Sequence, residues 1–270
     1  MELTEFLRYG FIQRALIAGL FIGILCSTLG VFLVLRRFSL IGDGLAHATF
    51  GSVALALLLK MSPLYVSIPL VMACSIGILK LTERARLYGD AAIGVVSSLG
   101  VAAGVMLSSI AGGFNVDLFS YLFGSILSIS NAEVVISIVL SILVITVIIF
   151  YYNELLSITF DEDSAKVSGI NTKFINSIFV LLTAVTVVLS MKVVGIMLIS
   201  ALLIFPAVTA LQIARSFKAV MVTASLSAVT SVVLGIVLSF FLDLPTGATV
   251  VLINFVLFIS SLAYKRFIKK

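Results

Sequence analysis

Apolar runs broken by short charged or turn-forming intervals follow one another along the whole chain. They lie near 10–35, 43–60, 63–80, 91–111, 132–152, 174–191, 193–213, 219–242 and 246–264. Each approaches or exceeds the ~20 residues that a helix needs to cross a bilayer. Such segments are expected to be helical, because hydrocarbon offers no partner to an unpaired backbone N–H or C=O. The pattern predicts an all-α integral membrane protein with about nine transmembrane helices, eight to ten as bounds. It forms a single transmembrane domain over residues 1–270.

One stretch departs from that pattern. Residues 112–131 (GGFNVDLFSYLFGSILSISN) start too polar, and their apolar part is too short, to cross alone. They predict a short extracytoplasmic helix, interfacial or re-entrant, either an amphipathic connector at the lipid surface or a gate over the mouth of a pathway. Glycines recur inside several spans (Gly19, Gly23, Gly30; Gly94, Gly100, Gly104). In membrane helices small residues let backbones approach closely, so most of these predict packing.

Composition fixes the solvent. The nine apolar residue types make up 61% of the chain and charged residues only 11%, against roughly 25% charged in soluble domains. Too little polar surface remains to face water, so lipid must cover most of the outside. A soluble enzyme and a disordered chain are both excluded, and any function sits within the bundle or on its loops. The two cysteines, Cys26 and Cys74, are far apart in apolar runs, which argues against a disulfide framework or a thiolate metal cluster. The single histidine, His47, excludes a haem held between two imidazoles of one chain.

The net charge of +5 reports topology first, and no nucleic-acid partner is expected. With the N-terminus outside and the C-terminus inside, the inner segments hold Arg36, Arg37, Lys80, Arg84, Arg86, Lys166, Lys173, Arg215, Lys218, Lys265, Arg266, Lys269 and Lys270. The outer ones keep only Arg8, Arg14, Lys60 and Lys192. That is the bias the positive-inside rule requires.

Two segments carry candidate chemistry. In Leu40-Ile-Gly-Asp-Gly-Leu-Ala-His-Ala-Thr-Phe-Gly51, Asp43 and His47 stand four residues apart and share one helix face. An ionisable residue within a span is costly and marks a functional site by default. Carboxylate and imidazole are oxygen and nitrogen donors suited to a divalent metal such as zinc or manganese. The plainer alternative is that Asp43 caps the end of the span and His47 hydrogen-bonds a neighbour. The second segment, Phe160-Asp-Glu-Asp-Ser-Ala-Lys-Val-Ser-Gly-Ile170, is the longest charged interval. It predicts a short cytoplasmic helix with Asp161 and Glu162 at its start, where the helix dipole favours acids. Gly169 sits where a helix C-terminus favours glycine. A solvated loop is one reading. The other is a knob whose small residues, Ala165 and Gly169, project into the cleft of a soluble partner.

Taken together, RRFSLIGDGLAHATFGSVALA (36–56), SYLFGSILSIS (120–130) and FDEDSAKVSGI (160–170) resemble the permease subunit of the zinc/manganese/iron family of ATP-binding-cassette importers. VVGIMLISALLIFPAVTA (193–210) is similar to that family too. The resemblance implies a fold similar to cobalamin-type importer permeases, in a bacterial-type cytoplasmic membrane. It implies a second copy of the chain, two cytoplasmic ATPase subunits and an extracytoplasmic metal-binding protein as partners. It also implies zinc or manganese as transported ion, no permanently bound cofactor, and no catalytic residue in this chain. Asp43 and His47 match the family's metal-contacting pair, and 160–170, with Asp161, Glu162, Ala165 and Gly169, matches its ATPase-coupling helix. DGLAH leans towards zinc, whereas Gly51-Ser52 stands where many relatives carry a proline, which leaves manganese open.

The alternative is a secondary, ion-coupled transporter of a small cation. It would need coupling-ion ligands near the membrane midplane at broken helices, yet the membrane acids are few: Asp43, Glu133 and Asp243, the latter two near predicted span ends. The chain also lacks the G-x-x-x-x-G-K-[ST] phosphate loop, so ATP hydrolysis needs another chain.

Overall fold

The computed structural model describes residues 8–85, 87–113, 116–125, 129–191 and 193–268. Arg86, Lys192, Lys269 and Lys270, which contribute to the charge bias, lie outside the described residues. So do 114–115 and 126–128 within the segment 112–131.

Among the described residues the chain is all helix, with no strand. Eight helices among the described residues are long and apolar enough to cross a membrane. They are α1 (Gly10–Leu35), α2 (Ile41–Leu58), α3 (Pro63–Arg84), α4 (Gly89–Ile110), α6 (Asn131–Phe150), α9 (Thr172–Ser190), α11 (Phe217–Leu242) and α12 (Thr246–Ile268). Between them lie the shorter α5 (Val116–Phe123), α7 (Tyr152–Phe160), α8 (Glu162–Val167) and α10 (Ile199–Ile213). Local turn chemistry marks several of the span starts. Ser62 precedes Pro63 at the first position of α3, where proline loses no hydrogen bond. Ser130 and Glu133 form a reciprocal capping box at the start of α6, satisfying donors that a helix start leaves orphaned.

Helices α1, α2 and α9 occupy the centre of the bundle, most of their length shielded by other helices. Helix α2 packs closely on α4, α1 on α11, and α10 lies between α1 and α12. The remaining long helices turn much of their apolar surface outward: Leu99, Ile149, Phe150 and Leu226 are exposed, as lipid-facing residues should be.

The span expected at 193–213 is not one continuous helix. Gly195 has φ +91°, a short 3₁₀ turn covers Ile196–Leu198, and α10 has only 15 residues. At 1.5 Å per residue it is about 22 Å long, short of a ~30 Å hydrocarbon core. Irregular backbone at membrane depth survives only where protein covers it, and Val193, Val194 and Ile196 are indeed buried. The cover comes from α5 and the start of α12, which both pack on this turn. A Cβ on Gly195 would fall 2.4 Å from the Phe123 carbonyl carbon, and one on Gly247 would fall 1.9 Å from the Val194 oxygen. Segment 112–131 therefore does not simply rest on the lipid surface: Tyr121 and Leu122 of α5 are buried in the protein.

A close helix contact inside the core gives a stability test. A Cβ on Gly30 of α1 would lie 1.9 Å from the Leu203 oxygen of α10. Backbone cannot swing aside as a side chain can, so Gly30→Val forces α1 and α10 apart. Overpacking of a tight core typically costs ~1–3 kcal/mol. The variant should show a lower yield of folded, membrane-extracted protein and a lower unfolding midpoint than Gly94→Val, whose Cβ meets nothing within 4 Å.

Candidate functional site

Asp43 and His47 occupy the first two turns of α2. Their Oδ2 and Nε2 atoms are 3.7 Å apart, too long for a good hydrogen bond. Two donors bound to one tetrahedral ion at ~2.0–2.1 Å each would sit about 3.4 Å apart, so a small shift would let both hold the same metal. Asp43 is 52% exposed and His47 25%. The pair therefore opens from the bundle rather than being sealed in it. The Ser200 hydroxyl of α10 lies 3.5 Å from Asp43 Oδ1, at the outer limit of hydrogen bonding, and ties the pair to the helix that begins after the Gly195 break. His47 Nδ1 is buried without a hydrogen-bond partner. Resident metal sites usually anchor that second nitrogen, so this imidazole is less fixed than a permanent ligand.

Helix α4 sets how α2 is held. A Cβ on Gly100 would lie 2.6 Å from the His47 carbonyl oxygen, and one on Gly44 would lie 2.6 Å from Ile93. The small residues beside Asp43 and His47 thus serve close packing. Among the described residues no group of three or more His, Cys, Asp or Glu side chains could hold a metal. One chain offers two such donors at this place, and a closed four-coordinate shell would need donors from elsewhere.

The second candidate segment is helical. Asp161 caps α8, its Oδ1 accepting from the Asp163 and Ser164 amides at 3.1 and 3.0 Å and its Oδ2 from the Ser164 hydroxyl at 2.6 Å. The Ser164 hydroxyl, then its amide, hold the Asp161 carboxyl below the usual carboxylate range, because both bonds favour the charged form. Lys166 lies 3.3 Å from both Glu162 and Asp163, and its ammonium is held above its ordinary value, first by the bond to Glu162. Gly169 adopts φ +85° while the Ile170 amide donates to the Ala165 carbonyl at 3.1 Å, closing the helix in the left-handed cap that glycine favours.

The expectation that Ala165 projects does not hold: it is only 3% exposed and packs into the bundle. A six-residue helix must bury one face to persist, and the small residue takes that face. The outward apolar residue is Val167, 90% exposed, with Gly169 also on the surface.

Sequence reasoning also missed what stands behind α8. The Asn176 amide of α9 lies 3.5 Å from Glu162 Oε1, and its oxygen accepts from Arg36 at the α1–α2 corner. The Arg36 guanidinium stacks on Phe179, 4.9 Å from the ring centre. Burial lowers the Arg36 pKa, opposed by the Glu162 charge. Asn176, a lone amide in an apolar run, was the available signal. These contacts link α8 to the corner that precedes Asp43.

The Asp161 cap has a testable pH dependence. A carboxyl whose folded pKa is depressed stabilises above the unfolded value and loses that contribution as pH falls through the folded value. Amide exchange at Asp163 and Ser164, corrected for intrinsic rates, should show steady protection from pH 7 to about 4 and falling protection below the ordinary ~3.9. Asp161→Ala should remove that protection throughout.

A bundle of apolar helices, a broken helix start packed against α5 and an ionisable pair opening from one span describe a multi-pass membrane protein with a polar site in its bundle. The sequence model of the ABC 3 transport family matches residues 8–265, and the chain belongs to this family of permease subunits of metal-importing ATP-binding-cassette transporters. It is a transport subunit, and ATP hydrolysis is the work of a separate ATPase. It is 32% identical to the manganese transport system membrane protein MntC of Listeria innocua over 95% of this chain and 91% of that protein. It is 33% identical to the high-affinity zinc uptake system membrane protein ZnuB of Haemophilus influenzae over 93% and 96%. Among solved structures, PsaBC from Streptococcus pneumoniae in complex with Fab matches with a TM-score of 0.85 at 32% identity, covering 96% of this chain and 95% of that one.

Proposed function

We propose that this permease imports zinc or manganese, and that the ion pauses between Asp43 and His47 on its way through the membrane. The observation that carries the reading is the carboxylate–imidazole pair, 3.7 Å apart and open to the outside of the single chain. Two copies facing each other across this surface would supply two carboxylates and two imidazoles, enough for four-coordination. The lack of a thiolate, and an imidazole with one nitrogen unanchored, suit an ion that must also leave. Relatives named for manganese and for zinc support both ions as cargo.

In this reading two ATPase subunits dock beneath α8, with Asp161 and Glu162 at its start and Val167 and Gly169 outward. An extracytoplasmic metal-binding protein delivers the ion from above. Segment 112–131 acts as the gate, because α5 leans on the broken helix start at Gly195 that a moving pathway would shift. The N-terminus lies outside and the C-terminus inside a bacterial-type cytoplasmic membrane. A protease-sensitive tag near Asp163 and another after Lys270 should both be cut only from the cytoplasmic side. External cleavage of either would overturn the orientation and the docking role together.

The deciding experiment is metal-resolved uptake by the permease reconstituted with its ATPase and binding protein. ATP-dependent accumulation of zinc or manganese supports the importer. Proton- or sodium-driven uptake by this chain alone, independent of ATP, would replace it with the secondary transporter.

A further inference from the structure

We propose that the cleft between α10, α11 and α12 holds one anionic glycerophospholipid, its phosphate at Arg215 and Lys265 and an acyl chain along Leu226 and Leu257. Two adjoining hollows share Ile213 and Tyr264 as common wall. The first, about 430 Å³, lies at the helix ends and is lined by Gln212, Arg215 and Lys265. The second, about 410 Å³, runs into the bundle face and is lined by Leu226, Leu257 and several hydroxyl residues.

Charge selects the head of the ligand. Arg215, Lys218, Lys265 and Arg266 gather where these helices end, and none forms an ion pair among the described residues. Lys265 commits one donor to Gln212 at 2.8 Å, and an ammonium has three. Basic hollows between spans on the cytoplasmic side are suited to acidic lipid headgroups.

The hydroxyls select the next part. Thr230, Ser260 and Ser261 donate back to carbonyls of their own helices, the usual solution in an apolar setting. Thr209 Oγ1 and Ser227 Oγ, on the same wall, are buried with no partner at all. A buried unsatisfied hydroxyl is unfavourable, and Thr209, four residues from the end of α10, is the one of the two near enough to the basic helix ends for an ester oxygen beside the phosphate to accept from it. Reach agrees as well. From Tyr264 to Leu257, and along α11 to Thr230, the groove extends roughly 10–20 Å at 1.5 Å per residue, comparable with the ~15 Å of one leaflet.

The test uses the permease–ATPase complex in neutral detergent, stripped of lipid and then given phosphatidylglycerol, phosphatidylcholine or inorganic phosphate. Native mass spectrometry counts retained lipid, and thermal unfolding reports the effect on stability. Phosphatidylglycerol should be retained at one molecule per permease chain and raise the unfolding midpoint, while the other two do neither. Arg215→Gln with Lys265→Gln should weaken retention roughly tenfold or more. Ser260→Phe, at the exposed lip of the groove, should do the same without touching charge, and decides the matter if the double variant fails to assemble. Equal retention of phosphatidylcholine would overturn the proposal, as would stabilisation by phosphate alone or undiminished phosphatidylglycerol binding in Ser260→Phe.

Discussion

Asp43→Asn and His47→Ala should each cut metal uptake per assembled complex on the order of 10–100-fold or more. Even outer partners of metal ligands cost that much in affinity when removed, and under the proposed function these two side chains touch the ion itself. Asp43→Asn keeps the size and removes the charge that draws a cation into a low-dielectric span. Neither side chain is needed by the backbone of α2, so abundance and assembly should stay near wild type. The competing reading, a purely structural role, predicts the reverse: Asp43 contacts Ser200, and losing that contact would lower yield while uptake per complex stayed constant. Uptake per complex equal to wild type in both variants would remove the pair from the pathway.

The spans were legible because a bilayer imposes one demand on every crossing segment, some 20 apolar residues in a helix. The break at Gly195 was not. VVGIMLI is apolar apart from one glycine, and a glycine inside an apolar run does not by itself mark where a helix starts. That start is set by a positive φ and by Gly124 and Gly247, which press backbone against backbone on either side. Those partners are distant in sequence and can only be found in three dimensions. The ionisable pair could be read from four-residue spacing, yet Ser200 could not, being brought to Asp43 by the same break. Ala165 shows a different limit. A small residue on a short helix suits either an outward cleft contact or an inward packing contact, and the bundle beneath decides. The glycine at 169 was readable because its role is local: a left-handed residue closing a helix favours glycine wherever the helix lies.

Coupling to the ATPase should fail in Val167→Asp and Gly169→Val, and the reasons differ. Val167 makes almost no contact within its own chain, so Asp there leaves the fold intact. It also places a second acid near the exposed Asp163 on the surface offered to a partner. Gly169 has open space where a Cβ would stand but sits at φ +85°, a conformation that costs an L-residue roughly 1–2 kcal/mol. Valine would loosen the end of α8 and misplace the turn into α9. Glu162, Asn176 and Arg36 form a chain of contacts from α8 to the end of α1, just before the helix that carries Asp43, and under the proposed function this is the route by which α8 acts on the metal stop. Metal-stimulated ATP hydrolysis and uptake should therefore fall together, at least tenfold, with membrane insertion and dimer assembly unchanged. Ala165→Arg belongs to another class: a guanidinium forced into a buried position unseats α8 from the bundle, so abundance should fall first. Normal stimulated hydrolysis and uptake in both Val167→Asp and Gly169→Val would take this segment out of the transport cycle.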